Sequence, residues 1–177
     1  MPPDPRGLTL VELVVALALV GVLAAVGTPY LLANLPALRV NAAVRHVIGD
    51  LRLARSLAVE RGVDCLLVFD VPAVKYTVIL DTDDVPGVSD GDEVLKEVDL
   101  GRRYRGVAFG SATAADPITF GGDQALFKPR GTSNGGSVHL RPGQDAGVRQ
   151  DRERRVTVLS TTGRVRAFRR SGSQWEG

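Results

Sequence analysis

The chain has 177 residues, room for one domain of ordinary size and one additional element. Its net charge of +2, from 22 basic and 20 acidic side chains, is too small to mark a nucleic-acid-binding protein by itself. A single cysteine excludes an intrachain disulfide, and neither His46 nor His139 has an obvious Cys or Asp partner at metal-ligand spacing, so both are read as structural.

Residues 1–7 are polar and contain three prolines, and residues 13–38 carry no charged side chain. A helix rises ~1.5 Å per residue, so about 20 such residues cross the hydrocarbon core of a bilayer. A secretory signal peptide has a basic start, a shorter apolar core and a small-residue cleavage site behind it. This segment is longer and leads directly into an amphipathic helix, so it reads as a retained anchor. Arg6 favours a cytoplasmic N-terminus, which puts the rest of the chain outside the cytoplasm.

Glu12 stands out in this anchor. The 11 large aliphatic residues between Leu13 and Leu32 supply on the order of −5 kcal/mol of insertion free energy, against about +2.5 to +3.5 kcal/mol for a central acidic residue. Insertion wins. The carboxylate then has two readings: a functional group inside the membrane, or an interfacial residue that complements the helix N-terminus. Ala16, Ala18, Gly21, Ala24, Ala25 and Gly27 suit close helix packing in a membrane. Pro29 removes a backbone donor and disturbs the turn near Ala25, so the helix is expected to soften there, with Pro36 adding a second such point.

The run Gly7-Leu8-Thr9-Leu10-Val11-Glu12-Leu13 ahead of an unbroken apolar helix resembles the prepilin cleavage motif of type IV pilins and type II secretion pseudopilins. The resemblance implies cutting by a prepilin peptidase between Gly7 and Leu8 and N-methylation of Leu8, where the family usually has phenylalanine. It implies a single span in the inner (cytoplasmic) membrane, in contact with membrane lipid, and an extracytoplasmic C-terminal domain. The subunit would join other pilins or pseudopilins in a helical filament, through an inner-membrane assembly platform driven by a separate cytoplasmic ATPase. Pro29 falls where many pilins have a helix-softening proline. Cleavage also has a direct physical consequence: the Leu8 amide nitrogen becomes an amine, mostly positive at neutral pH. Glu12 then has a cationic partner four residues away or on a neighbouring subunit, which offsets much of the cost of a carboxylate in low dielectric. On this reading Glu12 sets the stagger between subunits.

After Pro36 the pattern turns amphipathic. Val44, Val47, Ile48, Leu51, Ala54 and Ala58 recur at three- and four-residue spacing, while Arg45, Asp50, Arg52, Arg55 and Arg61 take other positions. Gly62 follows a basic last turn, as a helix end prefers. One helix is expected from about Thr9 to Arg61. Strands are expected at 65–69 and 76–80, joined as a hairpin, and at 107–109, 118–120, 125–127, 138–140, 156–160 and 165–168. Cys65, in an apolar run, reads as a buried thiol. No helix is expected after Gly62. The predicted class is α+β: a long N-terminal helix whose second half packs against an antiparallel sheet, either single or folded over into two. The divisions are a leader at 1–7, a transmembrane and filament-core helix at 8–33, its amphipathic continuation at 34–62, and a β domain at 63–177.

The second half extends the resemblance. Leu51-Arg52-Leu53-Ala54-Arg55-Ser56, Phe127-Lys128-Pro129-Arg130-Gly131 and the stretch from Val158 to Arg166 resemble the GspH/FimT-type branch, which holds minor pseudopilins of type II secretion and minor pilins of type IV pilus systems. In the FimT-type members a Gly-Arg-x-Arg stretch is associated with DNA binding during uptake, and Gly163-Arg164-Val165-Arg166 matches it. Arg169 and Arg170, with Arg154 and Arg155, lie nearby in sequence. The arginines are therefore either a solvated surface or a DNA contact, which makes a DNA-binding minor pilin of an uptake system the alternative function. Such binding would be backbone-driven and weakened by salt.

The loop at 81–93 is dense in carboxylates. Asp81, Asp83, Asp84, Asp90 and Asp92 are calcium candidates, but the glycine of an EF-hand loop is missing, and a solvated acidic loop is the preferred reading. No cofactor is expected. A membrane-anchored enzyme is the contrasting class; the chain has no Gly-x-Ser-x-Gly elbow, phosphate-binding glycine loop or clustered metal motif, and the glycines at 131–136 read as a turn.

Overall fold

The computed structural model describes residues 9–83, 85, 87–145 and 149–177. The first element is a helix, α1 (Leu10–Arg61). Thr9 caps it: the Glu12 N–H donates to Thr9 Oγ1 at 3.2 Å, satisfying one of the donors that a helix N-terminus leaves free. At the other end the Gly62 N–H donates to the Ala58 carbonyl at 3.0 Å, and Gly62 turns the chain away at φ +72°.

The chain divides into two units, residues 1–35 and 36–177. The described part of the first is the N-terminal portion of α1, where an apolar stretch of 20 residues, Leu10–Pro29, is entirely exposed. The helix assignment continues through Pro29, and Thr28 Oγ1 donates to the Ala24 carbonyl at 2.7 Å, one residue before the carbonyl that proline leaves unpartnered.

In the second unit α1 buries one stripe: Val40, Ala43, Val44, Val47, Leu51, Ala54 and Ala58. Its spacing is the helical period, and its alanines let the strands come close. Two antiparallel sheets cover it. The first joins β1 (Cys65–Asp70), β2 (Lys75–Leu80), β3 (Glu93–Asp99) and β5 (Gln124–Phe127) in the order β3-β2-β1-β5. The second joins β4 (Val107–Phe109), β6 (Gly136–Pro142), β7 (Arg154–Val158), β8 (Val165–Ser171) and β9 (Gln174–Glu176) in the order β4-β6-β7-β8-β9. The period of two along each strand sends Cys65, Leu67 and Phe69 from β1, and Tyr76, Val78 and Leu80 from β2, into a core shared with Val138, Leu140, Val156 and Val158. Phe69 joins the sheets, with its ring 5.9 Å from Tyr76, 5.8 Å from Phe109 and 6.2 Å from Phe120. The α+β class and the β1–β2 hairpin are as expected from the sequence, with Cys65 opposite Leu80 and Asp70 opposite Lys75.

Four expectations are corrected. A short helix, α2 (Leu100–Arg103), does follow Gly62; Asp99 caps it, accepting the Arg102 N–H at 2.7 Å. β3 and β9 are strands that the sequence reading left in loops. β3 is an edge strand, exposed over most of its length, so it carries charge instead of alternating apolar residues. Residues 118–120 form only a bridge, Ile118 to Val138, before a 3-10 turn at Gly121–Asp123. Asp50, read as lying off the buried stripe, is itself buried. It accepts Tyr76 Oη at 2.5 Å and Lys96 Nζ at 2.8 Å on each oxygen, tying α1 to β2 and β3. Burial, and then the bond to Asp50, push the Tyr76 hydroxyl well above its ordinary pKa.

A buried carboxylate that loses one donor keeps its desolvation cost. Tyr76→Phe is therefore expected to destabilise the globular unit by about 1–2 kcal/mol, read from urea unfolding of the detergent-solubilised chain.

Candidate functional site

The three motifs that carried the later resemblance lie far apart in sequence and meet at one place. Arg55 of α1 donates from Nε to the Gly131 carbonyl at 3.1 Å. Gly131 and Gly163 both have positive φ, at +77° and +58°. A Cβ on Gly163 would collide with the Gly131 carbonyl oxygen and with Arg55 Nε. The Ser133 N–H donates to the Ser160 carbonyl at 2.8 Å, joining the loop after β5 to the turn between β7 and β8. Glycine is thus required at 163 twice over, by backbone conformation and by space. Arg55 clamps the two loops to the helix.

Beside this junction lies a groove lined by Arg52, Arg55, Gly163, Arg164 and Arg166. The groove brings Arg164 and Arg166 together with Arg52 and Arg55. The helix pair was missed as part of the site because its arginines read as the solvated side of an amphipathic helix; their convergence with the β7–β8 turn is a tertiary fact. Arg164 and Arg166 are exposed.

Arg169 and Arg170 do not join the groove. Arg169 pairs with Glu176 through Nε at 3.0 Å and Nη2 at 2.8 Å. Arg170 is corrected from a candidate nucleic-acid contact to a buried structural cation: its Nη1 lies 3.3 Å from Glu153 Oε2, and its Nε donates to the Gly172 carbonyl at 2.9 Å. Arg154 is engaged by Asn41 Oδ1 at 2.8 Å, and Arg155 lies over the rings of Phe168 at 5.0 Å and Trp175 at 4.5 Å.

Glu153 is the centre of a second buried network. It accepts from His139 Nδ1 at 2.9 Å and from the Ala112 N–H at 3.2 Å. Burial opposes its charge, but hydrogen bonds from Ser111, His139 and Ala112 outweigh burial and hold its carboxyl below the usual range. Burial lowers the pKa of His139 despite the neighbouring Glu153, and burial likewise lowers that of His46 despite Asp50. Neutral His139 donating to an ionised Glu153 satisfies both groups. Cys65 is buried, with its thiol pushed up to about 12 by desolvation.

Of the acidic loop, Asp81, Asp83 and Asp92 come together, with ligand oxygens within 4.8 Å of one another. Asp90 is not in that group, and Asp84 lies outside the described residues. Asp83 accepts from Ser89 Oγ at 2.5 Å and the Val85 N–H at 3.1 Å, and Asp92 Oδ2 accepts from the Ser89 N–H at 2.7 Å, while Asp92 Oδ1 is buried without a hydrogen-bond partner among the described residues. Ser89, first of several donors, holds the Asp83 carboxyl below its ordinary pKa. Gly7 and Leu8, the expected cleavage position, and the leader itself lie outside the described residues. Glu12 sits in the first turn of α1.

The histidines set a pH dependence. Their folded pKa values lie below the ordinary 6.5, so the unfolded chain binds more protons as pH falls through that value, and stability falls with it. Thermal unfolding is expected at lower temperature near pH ~5.5 than near pH ~7.5. His139→Gln should narrow the difference between the two scans.

Comparison with known proteins agrees with this architecture. The family model described as type II transport protein GspH matches residues 43–163, and that of the prokaryotic N-terminal methylation motif matches residues 4–28. No curated protein sequence matches. Among solved structures, the minor pseudopilin EpsH from the type II secretion system of Vibrio cholerae is similar at a TM-score of 0.52 and 16% identity, over 77% of this chain and 97% of that one. The type IV minor pilin FimU of Pseudomonas aeruginosa is similar at a TM-score of 0.50 and 14% identity, over 77% of this chain and 92% of that one. At these identities the likeness is one of fold. The GspH model covers more than half of the chain and takes in the three converging residues Arg55, Gly131 and Gly163: the chain belongs to the type II transport protein GspH family, pilin-like proteins with a long apolar N-terminal helix.

Proposed function

We propose that the chain is a minor pilin or pseudopilin that enters a type II secretion pseudopilus or a type IV pilus through its N-terminal helix. The observation that carries this reading is the exposed apolar stretch of α1 with one carboxylate, Glu12, at its start. Water does not tolerate so much contiguous apolar surface; a bilayer before assembly, and neighbouring helices after it, do. A prepilin peptidase cuts between Gly7 and Leu8, Leu8 is methylated, and the new amine pairs with Glu12. One span holds the subunit in the inner membrane, with the globular unit outside the cytoplasm, until the assembly platform loads it into the filament. Pro29 gives the helix a point of give during that transfer. The role is structural: initiating, capping or joining the filament. Arg55, Gly131 and Gly163 serve it by holding the globular unit in shape.

Glu12→Ala, examined in protein whose leader has been removed as verified by mass spectrometry, is expected to leave membrane insertion intact and to reduce incorporation into filaments severalfold. Normal incorporation would show that Glu12 does not set the stagger.

A second reading has its own observation. Arg164 and Arg166, joined by Arg52 and Arg55 in one groove, present several guanidinium groups where a phosphate backbone could lie. In a gel shift, Arg164→Gln/Arg166→Gln is expected to abolish any retardation of duplex DNA and to flatten its salt dependence. Retardation that survives the double substitution would reject the groove as the contact.

A further inference from the structure

We propose that the arginines around the entry of α1 into the globular unit form a collar that binds anionic phospholipid headgroups of the membrane holding the helix. The proposal rests on the membrane-anchor reading and adds a lipid contact made by the globular unit itself.

Arg39 is the first charged residue after Glu12. From Glu12 to Arg39 a helix has a contour of ~40 Å, the thickness of a bilayer with its headgroup layers. On the membrane-anchor reading, Arg39 is the first basic residue to follow the span. Arg39 does not stand alone. Its Nη1 donates to the Arg105 carbonyl at 3.1 Å, which brings the segment after α2 against the start of the buried stripe. Tyr104 fixes the same segment from its other side, its hydroxyl 3.1 Å from His46 Nδ1. Arg102 and Arg103 of α2 lie just ahead of Arg105, and with Arg39 and Arg45 all five side chains are exposed.

None of the five has a carboxylate within 4.0 Å among the described residues. Nearby acids are otherwise engaged: Asp99 caps α2 and lies 3.9 Å from Lys75, and Asp50 is held by Lys96 and Tyr76. At the far end of α1, Asp64 and Asp81 line a cavity with Gly62. That end is ~35 Å along the helix from Arg39, several times the ~8 Å screening length of physiological salt. An anionic leaflet at Arg39 is screened from those two carboxylates. The groove at Arg164 and Arg166 is also more than a screening length away along α1, since Arg52 and Arg55 mark its level ~20 Å beyond Arg39.

The test uses the full chain in nanodiscs of mixed phosphatidylcholine and phosphatidylglycerol, with the lipids retained after release counted by native mass spectrometry. Wild-type protein is expected to retain phosphatidylglycerol preferentially. Arg39→Gln/Arg103→Gln/Arg105→Gln is expected to lose that preference by on the order of tenfold or more. Arg102→Gln/Arg103→Gln, which leaves the Arg39 bond to the backbone intact, should lose part of it, and Arg164→Gln/Arg166→Gln should keep it. Unchanged urea unfolding, followed by Trp175 fluorescence, verifies that the variants are folded. An alkaline wash of membranes reports the anchor separately. A chain that washes off overturns both readings. A chain that stays but shows no preference, or keeps it in both collar variants, overturns the collar alone. If the collar variants keep their lipids but no longer copurify with other filament subunits, the arginines make a protein contact and the proposal is wrong.

Discussion

The globular unit depends on one stripe of α1. Val40, Ala43, Val44, Val47, Leu51, Ala54 and Ala58 give two sheets a common surface to pack on. The outer strands add few residues to that core: β3 is largely exposed, and β4 and β9 have three residues each. The alanines matter as much as the larger residues. A bulkier side chain at Ala43, Ala54 or Ala58, each fully buried, would hold the strands off and open the core around it.

Polar groups then fix how the sheets sit on that stripe. Asp50 reaches Tyr76 and Lys96 in the first sheet; Asn41 takes Arg154 in the second; Arg55 takes the Gly131 carbonyl between them. Asp50 is buried, so a shifted helix register would leave it unpaired and break the other contacts with it. The two positive-φ glycines at the Arg55 junction allow the backbone to approach the guanidinium closely, which explains why arginine and glycine motifs far apart in the chain belong to one pattern. The binding groove proposed for phosphates shares Arg55 with this structural junction, so architecture and any recognition there are coupled.

Much of the architecture was legible in the sequence. The apolar run, its single carboxylate, the amphipathic continuation and the β1–β2 hairpin are local patterns, readable because helical and strand periodicities repeat within a few residues. The readings that failed were those where local pattern and environment disagree. β3 looks like a charged loop because edge strands are charged. Asp50 looks solvent-facing because nothing in its neighbourhood announces Tyr76, which lies 26 residues away. Arg170 looks like its neighbours in an arginine-rich stretch, and only Glu153, reaching it from β7's entry, makes it a core residue.

The sequence by itself determined that the chain begins with a helix suited to lipid, that one carboxylate sits at its head, and that a β-rich unit follows, because hydrophobic transfer and backbone periodicity act residue by residue. Tertiary structure alone decided which arginines share a groove and which are consumed by ion pairs. Those outcomes rest on contacts between residues such as Arg55 and Gly131, 76 positions apart, and a contact of that kind exists only once the chain has folded around the helix.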